Sequence, residues 1–190
     1  MGYLIVGIVV FAGAHLFSML LPGQRDALKA RMGEGPYKGI YSLVSLAGLA
    51  LMIWGFWSLS SDPATSSVVY EPAPWARHVT MLLVLFGFIS LSGFHGKGYV
   101  KRWLRNPFSI GIVLWSVGHL LANGLLHDVL LFGTFLVLAV LDIVLSTARG
   151  KRPGHEPQIR SDAIAVILGV VLYAVFLFGV HPYIFHVPIV

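Results

Sequence analysis

Six long apolar stretches dominate this chain and leave few folds open to it. They run over about residues 3–21, 39–59, 75–94, 108–126, 128–146 and 163–185. A helix needs about 20 apolar residues to cross the hydrocarbon core of a bilayer. Each stretch is apolar on all sides rather than alternating, so each reads as a spanning helix and not as a barrel strand. Composition points the same way. Of 190 residues, 57% are hydrophobic and 11% charged, and mean hydropathy is +0.82. An ordinary soluble domain carries about 25% charge, so a soluble enzyme is excluded, and a disordered chain needs the opposite composition. With no cysteine, the chain has no disulfide, thiolate metal site, iron–sulfur cluster or Cys nucleophile. The expected fold class is all-α: a polytopic membrane bundle of six transmembrane helices, one domain over 1–190.

The basic residues set its orientation. Arg25, Lys29, Arg31 and Lys38 follow the first stretch. Lys97, Lys101, Arg102 and Arg105 follow the third, and Arg149, Lys151, Arg152 and Arg160 follow the fifth. Only Arg77 lies elsewhere. The positive-inside rule makes those three loops cytoplasmic and both termini periplasmic. Phe108–Ser146 is nearly one apolar run, but as a single helix it would reach ~58 Å. It must break, and Asn123-Gly124, followed by His127-Asp128, is the turn signal. The first stretch has no basic leader and runs into Pro22-Gly23 and Arg25, so it reads as a retained span. Residues 60–74 read as an outer connector and 150–162 as a polar linker.

Eight histidines are the main chemical resource. Depth sorts them: His78, His127, His181 and His186 fall near the outer interface, His95 at the inner end of its span, and His155 in a polar loop. His15 and His119 lie within spans, ~9 Å and ~16 Å from the inner side at 1.5 Å per residue. An ionisable residue inside a membrane is a functional hypothesis by default. Two buried imidazoles among apolar neighbours suit axial ligation of haem iron. Trp115 and Gly111 precede His119 on its face, Gly118 adjoins it and Asn123 lies a turn beyond, leaving room for a flat apolar guest. Arg25, Arg102 and Arg105 stand at the inner interface, where propionates would pair. The plainer reading makes each histidine an interhelical hydrogen-bond partner. Zinc lacks a third deep ligand. Asp142 is submerged and expected to reach toward Arg149 or another basic loop residue. The basic loops suit lipid headgroups, with no case for nucleic acid. Gly48 and Gly87 suit a homo-oligomer or internal packing equally.

These residues resemble a known family. Arg105-Asn106-Pro107, Gly111 and the run Trp115-Ser116-Val117-Gly118-His119-Leu120-Leu121-Ala122-Asn123-Gly124 look like the signature of NnrU proteins. Phe11-Ala12-Gly13-Ala14-His15, Gly33-Glu34, Tyr37-Lys38-Gly39, Tyr41-Ser42-Leu43 and Trp75-Ala76-Arg77-His78 are similar to it too. The likeness covers about residues 8–150. It implies a bacterial inner-membrane protein associated with nitrite and nitric oxide metabolism. The family includes ζ-carotene isomerase, a haem b enzyme that isomerises a cis double bond of a carotenoid. The resemblance therefore implies haem b, with His15 and His119 at the ligand positions, and a polyene lipid as substrate from the bilayer. Two departures stand out. Asn106 replaces the His of the isomerase Arg-His-Pro, and Ser116 replaces a Cys three residues before the ligand His. Met19, near His15, is one candidate for an exchangeable ligand.

Four functions follow: a haem-dependent cis–trans isomerase, a non-enzymatic haem protein handling nitric oxide or electrons, a membrane methyltransferase and a structural subunit. The methyltransferase reading rests on a faint likeness of Arg105-Asn106-Pro107…Gly111 to isoprenylcysteine-type enzymes, without their acidic C-terminal motif.

Overall fold

Leu21 is the first residue to leave the helical path, and Pro22, which lacks an N–H, restarts it at a position where no intrahelical donor is needed. Local rules of this kind cut the chain into nine α-helices among the residues that the computed structural model describes, 1–61 and 66–183. They are α1 (Gly2–Leu20), α2 (Pro22–Met32), α3 (Glu34–Ser60), α4 (Ala76–Ser92), α5 (Tyr99–Leu104), α6 (Pro107–Ala122), α7 (Leu126–Ala148), α8 (Ile159–Val175) and α9 (His181–Tyr183). A π-helical segment, Phe176–Val180, joins α8 to α9. Among the described residues, four helical stretches are long and apolar enough to cross a membrane: α1, α3, α7 and Ile159–Tyr183. The apolar helices α4 and α6 have 17 and 16 residues, ~24–26 Å of rise against a core of about 30 Å. His186 and the last two residues of the expected span 163–185 lie outside the described residues.

Two helices were not anticipated. Residues 22–32 carry no apolar run, yet Gln24–Met32 are mostly good helix formers, Pro22 is pre-set for the first turn, and Lys29 and Arg31 complement the C-terminal dipole. Gly33 at φ +87° ends α2 in a conformation open to glycine. Helix α3 then starts at Glu34 rather than near residue 39, its first turn tied by Glu34–Lys38 at 2.8 Å. Helix α5 lies inside the second basic loop. The Asp162 carboxylate accepts from the N–H groups of Tyr99 and Val100 at 2.8 and 3.0 Å, covering the open start of α5.

The chain contacts group into two units, with α7 running from the first into the second. In the first, residues 1–71 and 123–138, α1 and α3 meet backbone to backbone. A Cβ on Gly7 would stand 2.5 Å from the Met52 nitrogen, one on Gly48 would stand 2.7 Å from the Phe11 nitrogen, and one on Gly55 would collide with Leu4. Small residues let membrane helices approach this closely, and Leu4 and Met52 are wholly buried there. Gly48 therefore serves internal packing. The start of α7 adds ring contacts, Phe135 on Phe11 and Phe132 on Phe56. Asn123-Gly124 does form the break between α6 and α7. The Gly124 carbonyl accepts from the N–H of Val69 at 2.8 Å, and the Leu126 N–H donates to Ser67 at 2.8 Å. Among the described residues, the connector before α4 is thus pinned by one antiparallel bridge, Val68 to Leu125.

In the second unit, residues 72–122 and 139–190, α4 packs on α6 and α8. Gly87 faces the Gly111 carbonyl and Gly169 faces Ile89. Two hydroxyls on α4 cross to α6 carbonyls: Thr80 to Gly118 at 2.6 Å and Ser90 to Pro107 at 2.7 Å. Apolar solvent supplies no such partner, so these bonds specify the pairing.

Candidate cofactor site

His119 sits in the last turn of α6. Its Nδ1 lies 2.8 Å from the Trp115 carbonyl one turn earlier. Facing an acceptor, Nδ1 carries the proton, and Nε2 holds the lone pair of the neutral ring. The Trp115 ring leans on the imidazole with centroids 4.9 Å apart.

A second imidazole stands opposite. The His181 ring is 6.3 Å from that of His119, centroid to centroid, and within 20° of parallel. His181 follows the π-helical segment, and its Nδ1 lies 2.9 Å from the Phe176 carbonyl, five residues back. That reach is a π-turn's, and such turns recur at functional sites. Both rings are thus held in one tautomer by a backbone carbonyl, the support that ligating histidines ordinarily have. The fold thus brings an imidazole of α6 and one of α9 together.

His15 belongs to the first unit and repeats the device. Its Nδ1 lies 2.8 Å from the Phe11 carbonyl, the Phe11 ring is 4.1 Å away, and Tyr41 stands 5.7 Å off on another side. His15 and His119 therefore each have an aromatic residue four positions earlier that both orients and covers the ring.

The other expected residues separate. Gly111 does not clear room for a ring: a Cβ there would stand 2.8 Å from the Gly87 carbonyl and 2.6 Å from Leu91 on α4. Gly118 likewise faces Thr80 and Val84. Asn123 lies beyond the end of α6, and its carbonyl accepts the Tyr70 hydroxyl at 2.8 Å. Burial holds the Tyr70 phenol above its ordinary pKa, so it remains a donor. Arg105, exposed at φ +61°, precedes α6. It lies ~21 Å of helix rise from His119. Ser116 is wholly buried, its Oγ without a hydrogen-bond partner among the described residues.

Three features escaped the sequence. His181 was assigned to the outer interface while His119 was measured from the inner end. Counted from its outer end, α6 places His119 within the last turn, so the depth criterion separated two rings that meet. Asp142 does not reach for a cation. It accepts from Asn106 Nδ2 at 2.5 Å and Ser109 Oγ at 2.6 Å, while Asn106 Oδ1 caps the Ser109 N–H at 3.3 Å. His127 is buried, with Asp128 at 3.6 Å and the Ser60 hydroxyl at 3.3 Å, both on Nε2. No group of three or more potential metal ligands occurs among the described residues.

With the geometry in place, the comparison with protein families is decisive. The family model described as NnrU protein matches residues 3–189. This chain belongs to the NnrU family. The match runs past residue 150 and takes in His181, which the motif resemblance had left out. Nothing matches it among curated proteins or among solved structures.

Proposed function

We propose that this NnrU protein binds haem b within a six-span bundle of the bacterial inner membrane, both termini periplasmic. The three basic loops support that orientation. The observation that supports the cofactor is the His119–His181 pair: two near-parallel imidazoles with ring centres 6.3 Å apart, each anchored at Nδ1 by a backbone carbonyl. The donor set fits haem iron, which takes axial imidazoles and no thiolate here. His119 is the ligand on α6. The motif assigns the second ligand to His15, and the geometry of the second unit favours His181. Bound there, haem would supply a redox-active iron, and these histidines are the residues that would hold it. The protein's own part is to fix the tautomers through Trp115 and Phe176 and to keep water away with apolar helix faces.

The catalytic reading is cis–trans isomerisation of a polyene lipid drawn from the bilayer. Ser116 favours the second reading, a non-enzymatic haem protein handling nitric oxide or electrons. A serine hydroxyl is a far poorer partner for iron than the thiolate a cysteine gives. Asn106, the other departure from the isomerase pattern, is engaged in holding α6 to Asp142.

The test is haem content and spin state of single variants. His119→Ala is expected to lose haem, and full retention would contradict the assignment. His181→Ala is expected to turn a low-spin spectrum high-spin. The same change in His15→Ala, with His181→Ala unaffected, would return the second position to α1.

A further inference from the structure

A groove of about 460 Å³ runs between the end of α4 and the start of α8. Its deeper wall is apolar, with Phe88, Leu168 and Leu172, and its other end is polar, with Ser92, His95 and Ser161. The Ser92 Oγ is buried and has no hydrogen-bond partner among the described residues. An apolar trough closing on hydroxyls and an imidazole matches an amphiphile rather than a neighbouring helix.

The charge around the polar end selects the amphiphile. Lys97 directly follows Gly96, a lining residue, and Arg160 directly precedes Ser161. The Gln158 N–H donates to the Lys97 carbonyl at 2.8 Å, which holds these two segments side by side. Lys101 sits over the Phe94 ring at 5.6 Å, and that ring meets His95 at 4.6 Å. Of the two acids near this end, Asp162 is engaged by the Tyr99 and Val100 amides, and Glu156 lies between His155 and Gln158, whose contacts with Gly98 and Lys97 bring that segment here, against three cations, Lys97, Lys101 and Arg160. The rim is therefore cationic, and cations beside a membrane helix attract anionic headgroups.

We propose that this groove seats one acyl chain of an anionic phospholipid, its phosphate at the Ser92–His95–Ser161 end facing Lys97 and Arg160. The inference rests on the membrane fold and not on haem. Arginine and lysine donate charge-assisted bonds to phosphate, and the Ser161 hydroxyl and the His95 ring complete its partners. The acyl chain then covers apolar side chains that α4 and α8 leave apart.

Native mass spectrometry of the full chain in detergent tests this, with phosphatidylglycerol or phosphatidylcholine of identical chains added. One phosphatidylglycerol is expected to stay bound, at least tenfold above phosphatidylcholine. Lys97→Gln with Arg160→Gln, both exposed, should remove that preference by an order of magnitude. Leu168→Trp, which fills the apolar wall, should reduce retention of both lipids. The charge variant keeps the test open if Leu168→Trp does not fold. Equal retention of the two lipids, or unchanged preference in the charge variant, would overturn the proposal. So would a dimer that Leu168→Trp abolishes, which would give the groove to a second copy.

Discussion

Asp142 shows what one side chain does in a low-dielectric setting. Its carboxylate takes two donors from the first turn of α6, and Asn106 caps that helix at the same time. Removing it leaves the amide and hydroxyl without their acceptor, which costs about 1–3 kcal/mol for a buried group. Asp142→Ala should therefore lower the unfolding temperature in detergent, and Asp142→Asn, which keeps one acceptor oxygen, should lower it less. An unchanged melting curve for Asp142→Ala would contradict this. Neither partner was legible in the sequence. The motif marked Asn106 only as a departure, and nothing local says that residue 142 faces residue 106 rather than Arg149. His119 was legible for the opposite reason: a histidine inside an apolar run is conspicuous wherever it points. His181 is equally conspicuous, but depth counted from opposite ends of two helices separates it from His119.

Among elements, the apolar runs overlap the helices with ends up to about five residues off, because membrane helices need unbroken hydrophobicity and charges or turns end them. Helices α2 and α5 were missed because polar, exposed helices carry no such run and rest on propensity and capping instead. How the helices pair was not legible. Glycines at 7, 48 and 55 were visible, but only the structure shows that they bring α1 and α3 into backbone contact. Gly55→Leu should separate those helices and destabilise the first unit, whereas Gly13→Ala, with nothing within 4 Å of its added Cβ, should be neutral or slightly stabilising. Thermal unfolding of the two variants side by side checks this, and equal loss in both would contradict the packing.

For the molecule as a whole, the account makes a claim about sidedness and a claim about a cofactor. A cysteine placed at Lys97 in this cysteine-free chain should be labelled only from the cytoplasmic side, and labelling from the periplasm would overturn the six-span topology. His155→Ala should leave haem content unchanged, because its ring lies in the linker before α8, 3.3 Å from the Gly98 carbonyl. The most direct test of the central claim is the absorption spectrum of the detergent-purified protein, oxidised and then dithionite-reduced, with a pyridine haemochrome assay. The account predicts a Soret band and b-type reduced peaks at near one haem per chain. A protein that stays colourless after haem is supplied would contradict it.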